Sequence, residues 1–373
     1  MKKVLILTVS LGMGHNSSAK AIEDELKSDG IDVLTLDVYQ YINKILSETL
    51  NLSAAIYSKL VPDLYRTIYE YLDKDTSEDS GSFISLVHGI CATKFEKLLD
   101  DFHPDIIVCT HVFASQIVDE IKKRKKTYAK LIGIITDYTI HPYWQTVSTM
   151  DYYLIANEKL RYRALKKGIP DHKIKAFGIP VNPKFNIPVT KAEARRQLDL
   201  DESSKVVLVM GGGLGFGIDV DDIVELLDIG PEVHILVICG KSKKLFTKFT
   251  EYEEEHTTGR LHIYGYVDNV HVMMSAADIF VSKPGGISST EAFMKNLPMV
   301  IINPLAGQEE RNAEFMMNCG LALQATKTFS IDEAVNLLIN DKIMIEEIAD
   351  NINRIINKNS TRDICDFIHN VII

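Results

Sequence analysis

The chain has 373 residues, 46% of them hydrophobic and 25% charged, with a formal net charge of -10. That length holds two domains with a core each, the even composition excludes a fibrous or disordered chain, and the acidic balance argues against general nucleic-acid binding. The five cysteines, Cys91, Cys109, Cys239, Cys319 and Cys365, are scattered with no C-x-x-C pair, which fits reduced thiols in a cytosolic protein.

Val4–Val9 reads as a buried strand rather than a signal peptide, because it runs straight into Gly12-Met13-Gly14-His15 with no small-residue cleavage site. No apolar run approaches the roughly 20 residues that cross a bilayer. Ser17–Asp29 follows as a polar-faced helix, then strands at Val33–Asp37, Asp105–Thr110, Leu131–Thr136 and Tyr152–Ala156. Uninterrupted apolar runs separated by helices predict a parallel sheet covered on both faces. The rhythm breaks at Tyr39–Leu72, where amphipathic spacing carries dense tyrosines, Tyr57 and Tyr65 among them. That segment reads either as two helices on the core or as a surface for a membrane interface, which suits tyrosine. The run Lys122-Lys123-Arg124-Lys125-Lys126 reads either as a solvated helix end or as a contact for anionic lipid, worth roughly 1 kcal/mol per charge.

The pattern restarts with strands at Lys205–Met210, His234–Cys239, His262–Tyr264, Ile279–Val281 and Met299–Ile302 and ends in helices. The join lies in the stretch 178–188, whose three prolines oppose regular structure. We therefore expect an α/β protein of two doubly wound halves, residues 1–185 and 186–345, with a terminal helical part over 346–373 that crosses back to the first. Such halves leave a cleft at the carboxyl ends of their strands.

Chemistry-bearing residues gather at those strand ends. After the strand ending at Val281, Lys283-Pro284-Gly285-Gly286-Ile287-Ser288-Ser289-Thr290-Glu291 turns into a helix, offering backbone N–H groups and a positive helix end to a phosphate. Lys283 suits a diphosphate, and Glu291 suits ribose hydroxyls; alternatively Ser288 and Glu291 form a capping box. Gln308, Glu309 and Asn312 follow the next strand and suit a sugar. Phosphate, ribose and sugar binders in that order point to a nucleotide-sugar site. The loop 211–217, with Gly213 and Gly215, lets a backbone approach a ligand closely but matches neither a Walker loop nor G-x-G-x-x-G.

Facing from the first half, Gly14-His15 offers an imidazole that can take a proton near neutrality. Gly12, Gly14, Ser17 and Asp37 also mimic a dinucleotide fingerprint without its third glycine. Asp137 and His141 can orient an acceptor or support the base, Asp137 alternatively capping a helix, and Trp144 can line an apolar pocket. Asp219-Val220-Asp221 reads as a helix start rather than a metal site.

Together these residues resemble the glycosyltransferase family that includes monogalactosyldiacylglycerol synthases and bacterial processive diacylglycerol glucosyltransferases. Gly14-His15, Asp137-x-x-x-His141-x-x-Trp144, the Gly211 loop, Lys283-Pro284-Gly285-Gly286 and Gly307-Gln308-Glu309 with Asn312 occur in the family's order over nearly the whole chain. The C-terminal pattern is also similar to the lipid-linked N-acetylglucosaminyltransferase of peptidoglycan synthesis. The resemblance implies a GT-B fold, two Rossmann-like domains facing across a cleft, with an inverting mechanism and no metal or cofactor. It implies hexose transfer from UDP-glucose or UDP-galactose to diacylglycerol or a related lipid, on the cytoplasmic side, peripheral to an anionic inner membrane face.

By the same resemblance Tyr266 and Val267 meet the uracil and Glu291 the ribose, with Ser288 also at the donor. Gly285 and Gly286 meet the diphosphate and Gln308 and Glu309 the sugar hydroxyls, and Gly213, Gly215, Lys283 and Asn312 also stand at the donor. His15 is the base, supported by Asp137. Gly14, His141 and Trp144 stand at the acceptor, and Tyr57 and Tyr65 at the membrane. This chain has Asn182 where many relatives carry arginine, so a cation for the departing diphosphate comes from Lys283 or Lys184 or is absent. Other readings are a different acceptor, a UDP-sugar epimerase, or a non-catalytic UDP-sugar-binding regulator.

Overall fold

The structure, a computed structural model, describes residues 2–9, 14–42, 95–211 and 218–372. Tyr57, Tyr65, Gly213 and Gly215 lie outside the described residues, so the membrane and loop expectations resting on them are not addressed by the fold. Two units divide the chain: Met1–Asn182 with Ala306–Gln308 and Asn359–Ile373, and Pro183–Leu305 with Glu309–Lys358.

In the first unit β1 (Lys3–Thr8), β2 (Asp32–Asp37), β3 (Ile106–Cys109), β4 (Lys130–Ile134), β5 (Tyr152–Leu154) and β6 (Ile174–Lys175) lie parallel in the order β2-β1-β3-β4-β5-β6. β1 is apolar throughout its middle because helices cover both faces of a parallel sheet, and Val4, Leu5, Ile6 and Leu7 are fully buried. Helix α1 (Gly14–Ser28) lays Ala19, Ile22 and Leu26 into a core shared with Ile364, Cys365 and Ile368 of the helix Ser360–Ile372. That distant helix is stitched in by polar bonds. Ser360 Oγ donates to the Ile179 carbonyl at 2.8 Å, Thr361 Oγ1 donates to the Val181 carbonyl at 2.7 Å, and Arg362 reaches Glu25 and Asp29 at 3.0 Å each. Of the terminal helical part, residues from Asn359 onward cluster with this unit, whereas the helix Lys342–Ile355 stays with the second.

The second unit carries β7 (Lys205–Met210), β8 (Val233–Ile238), β9 (Leu261–Tyr264), β10 (Ile279–Ser282), β11 (Met299–Ile301) and β12 (Ala322–Gln324), parallel in the order β12-β11-β10-β7-β8-β9. Sequence order reverses at β1 in one sheet and at β7 in the other, and the crevice beside such a reversal is where doubly wound sheets hold ligands. At the second reversal Ser282 Oγ donates to the Met210 carbonyl at 2.8 Å, tying the ends of β10 and β7 together. At the first, Thr110 Oγ1 donates to Thr8 Oγ1 at 3.0 Å across β3 and β1.

Candidate active site

His15 is the second residue of α1, placed at the first reversal by the strand-end threonines. Thr8 Oγ1 donates to Asn16 Oδ1 at 2.8 Å, anchoring the helix start after Gly14. His15 Nδ1 lies 2.9 Å from the Thr110 carbonyl and 3.0 Å from Thr136 Oγ1. A carbonyl only accepts, so Nδ1 carries the hydrogen and Nε2 keeps its lone pair. Burial holds the His15 pKa below 6.5, against the opposing pull of the Asp137 charge and the Thr110 bond. An imidazole that is neutral at pH 7, with an Nε2 that makes no hydrogen bond among the described residues, is what a general base requires. Ala306–Gln308 cluster with this unit, and the Gln308 amide Nε2 donates to Asp137 Oδ2.

The reading of Asp137 as a helix cap gives way to His141. His141 Nδ1 accepts from the Tyr143 N–H at 3.2 Å and caps the short turn Pro142–Thr146. Trp144, expected at an apolar pocket, is packed into the core of the first unit. It is only 4% exposed, it lies edge-on to Tyr153, and its carbonyl accepts the Tyr153 hydroxyl at 3.1 Å. Gly133 makes room for it, since a Cβ there would come 2.5 Å from Trp144 Cζ3. The basic run is largely neutralised locally: Lys122 pairs with Asp151 at 2.7 Å, Lys123 with Asp119 at 2.7 Å and Arg124 with Glu96 at 3.7 Å. It therefore presents a weaker attraction to anionic lipid than its sequence suggests.

His111 was missed by the sequence reading. It follows β3 and Thr110 and lies half-buried beside His15, with ring centroids 4.8 Å apart and planes at 84°. Its signal was its position, one residue beyond a strand end, as with Asp137 after Thr136.

In the second unit, the turn after β10 starts helix α3 (Gly286–Met294) with Gly285 at its N-cap, and no side chain bonds to that cap. The capping-box reading of Ser288 and Glu291 is therefore overturned, and the initial N–H groups are not spent on side-chain caps. Gly285 has φ -69, an ordinary angle, so its bareness serves space: a Cβ would meet Ser288 Oγ at 3.2 Å. Glu291, one turn on, makes no hydrogen bond or ion pair among the described residues, and burial pushes its carboxyl up to about 8. An unpartnered acid beside bare helix N–H groups suits hydroxyls next to a phosphate.

Lys283 Nζ pairs with Glu309 Oε1 at 2.7 Å, and Glu309 Oε2 accepts from the Leu305 N–H at 2.8 Å. Buried Asn312, on helix α4 (Gln308–Asn318), donates to the Pro284 carbonyl at 3.0 Å and so braces the glycine turn. Gly307 has φ 87, which explains glycine before Gln308. Tyr266 is 63% exposed just past β9. Beside it Gly265 lines a cavity of about 520 Å³ together with Gly240, Lys241, Ser242 and Lys243. The sequence reading missed this second strand-to-helix turn, at which Ser242 Oγ accepts from the Leu245 N–H at 3.3 Å.

Asp219 caps its helix, accepting from the Asp221 N–H at 3.0 Å, as expected of a helix start. Among the described residues no group of three or more His, Cys, Asp or Glu is placed to hold a metal ion, and no helix is long and apolar enough to cross a membrane.

Residues 15–181 match the family model described as monogalactosyldiacylglycerol (MGDG) synthase, and residues 190–363 match that of the glycosyl transferases group 1. The processive diacylglycerol beta-glucosyltransferase of Bacillus pumilus (strain SAFR-032) is 30% identical over 364 residues, covering 97% of this chain and 93% of that protein. Its namesake from Bacillus subtilis (strain 168) is 28% identical over 352 residues, covering 94% and 90%. Among solved structures, MurG of Acinetobacter baumannii has a TM-score of 0.63 at 15% identity, covering 99% of this chain and 100% of that one. The UDP-GlcNAc 2-epimerase of Neisseria meningitidis, bound to UDP-GlcNAc, has a TM-score of 0.62 at 15% identity with coverage of 99% and 100%. At such identities the likeness to these two structures is one of fold.

Proposed function

This chain belongs to the diacylglycerol glycosyltransferase family, with a GT-B fold of two Rossmann-like domains, and from that premise we propose that it is an inverting hexosyltransferase moving a sugar from a UDP-sugar to the hydroxyl of diacylglycerol or a related membrane lipid. The observation that carries the chemistry is the Nδ1 contact of His15 with the Thr110 carbonyl, which leaves Nε2 as a base. In the proposed step Nε2 takes the hydroxyl proton of the lipid, and the oxygen attacks the anomeric carbon. The bond from that carbon to the diphosphate breaks, and UDP leaves with the electron pair. Asp137 supports the imidazolium so formed.

Backbone N–H groups at Gly285 and Gly286 and the Lys283 ammonium offset charge growing on the diphosphate. Glu291 holds the ribose, and Gln308 and Glu309 the sugar hydroxyls. The backbone at Tyr266 and Val267 meets the uracil. Lys283 already stands at the glycine turn, so it is the cation that serves where Asn182 replaces arginine. The donor is UDP-glucose or UDP-galactose, no metal takes part, and the protein works peripherally at the cytoplasmic face of the membrane.

The test is incubation with radiolabelled UDP-sugars and diacylglycerol vesicles, followed by lipid chromatography. Label moving into a lipid-soluble product from one UDP-hexose is expected. Absence of lipid-borne label from every UDP-hexose, with UDP still bound, would instead favour a binding protein.

A further inference from the structure

We propose that His111 is a positioning residue for His15, a second imidazole fixed by the backbone of its own helix so that the base ring is held edge-on with Nε2 free. The proposal rests on the transferase reading of His15 but adds a residue to it. His111 caps helix α2 (Val112–Lys123), its Nδ1 accepting from the Phe113 N–H at 3.1 Å with extended backbone at φ -143 and ψ 144. A backbone N–H only donates, so the His111 hydrogen must sit on Nε2. The ring thus has one tautomer and one orientation, and it meets the His15 ring at 84° with centroids 4.8 Å apart.

Capping alone is a weak reason for histidine here. Ser, Thr, Asp and Asn are the side chains that cap best, and any of them would leave a gap beside His15. The groups around the His15 ring come from the ends of two strands, Thr110 and His111 after β3 and Thr136 and Asp137 after β4, while His141 at the following turn acts on His111. Among these neighbours Asp137 is the one acidic group acting on His15, so the new imidazolium is stabilised only while His111 stays uncharged. Burial first, then the nearness of His15 and His141, keeps the His111 pKa well below 6.5. Neutral, rigid and in contact, it holds the base without competing for its proton.

His111→Asn retains a side chain that caps and removes the ring. It should lower kcat by roughly tenfold or more while the KM for the UDP-sugar stays within about twofold, because the base loses its orientation and the donor does not. His111→Asp also caps, but sets an anion beside His15 and should move the acidic limb of kcat up by about one pH unit. A His111→Asn enzyme with unchanged kcat and unchanged pH profile would reduce His111 to a cap and overturn the proposal.

Nitrogen-15 spectra of the imidazoles in the intact wild-type protein decide the question without any variant or activity. They should show His111 protonated on Nε2 alone and still neutral well below pH 6.5, with His15 protonated on Nδ1. A His111 that titrates near 6.5 also overturns the proposal. If no hexose transfer is found at all, the transferase reading fails, and these spectra still report on the His111–His15 pair.

Discussion

The Lys283 ammonium lies 2.7 Å from Glu309 Oε1, so a cation and an anion expected to serve different parts of a nucleotide sugar hold one another first. A diphosphate must share Lys283 with Glu309 or displace it. Lys283→Ala should lower kcat/KM about 10- to 100-fold, as expected for one charge-assisted bond of roughly 1.5–3 kcal/mol. Glu309→Gln frees the lysine, so calorimetry should find UDP bound as tightly as before or a few-fold more tightly, while kcat with the UDP-sugar falls. Weaker UDP binding in Glu309→Gln would mean that the carboxylate aims Lys283 at the diphosphate.

Glu291 is half-buried and makes no hydrogen bond or ion pair among the described residues, and burial pushes its carboxyl up to about 8, above the ordinary glutamate range near 4.5. Between those two values the folded state binds a proton that the unfolded chain does not, so this group's contribution to stability is present at low pH and lost as pH rises through about 8. Glu291→Gln removes the titration, and the free protein should melt a few degrees higher at pH 8.5 than wild type. UDP affinity should fall about tenfold or more, because a ribose hydroxyl loses a carboxylate acceptor. Calorimetry and melting curves on the same samples test both halves, and unchanged UDP affinity would remove Glu291 from the site.

As the proposed base, His15 must be unprotonated to act, and burial lowers its pKa below 6.5. The kcat profile should therefore be flat through neutrality and fall on the acid side only below 6.5. Asp137 opposes the lowering, so Asp137→Asn should shift the acidic limb further down while reducing kcat, since the imidazolium loses its counter-charge. His15→Ala should cost about 10² to 10⁴ in rate. A limb that stays in place in Asp137→Asn would separate the two residues.

Gly133 lies against the Trp144 ring and 2.9 Å, by its would-be Cβ, from Met150 Cε. Gly133→Ala should destabilise the first unit by about 1–3 kcal/mol through overpacking. Adding Trp144→Phe should recover part of that loss, a coupling that a double-mutant cycle in denaturant measures. Strict additivity would mean that the two residues do not touch.

The fold was legible wherever strands were apolar and long. Lys205–Met210 was read to the residue, and β1, β8 and β10 to within one or two. β6 (Ile-Lys) and β12 (Ala-Leu-Gln) escaped because short edge strands bury little and carry no apolar run. Strand ends flagged His15, Lys283 and Glu291 correctly as neighbours of turns. Sequence cannot show that the Trp144 ring is consumed by core packing on Gly133, or that Asn312 braces Pro284, because both depend on contacts between residues distant in the chain. His111 was passed over since a single histidine in Thr110-His111-Val112 matches no motif, and only the parallel order of β1, β3 and β4 brings it to the base.

Ile364, Cys365 and Ile368 complete the hydrophobic interior that begins with Val4 and Ile6. During synthesis that core, covered until then by Ala19, Ile22 and Leu26 of α1, stays incomplete until those residues have cleared the ribosome, by which time the whole of the second unit has been made. The usual vectorial sequence, in which the earlier-made domain matures before the later one, is reversed, and the nascent chain carries an incompletely covered core for most of its translation. A truncation before Ser360 should on this account give protein that chaperones retain, with the second unit folded and the first not.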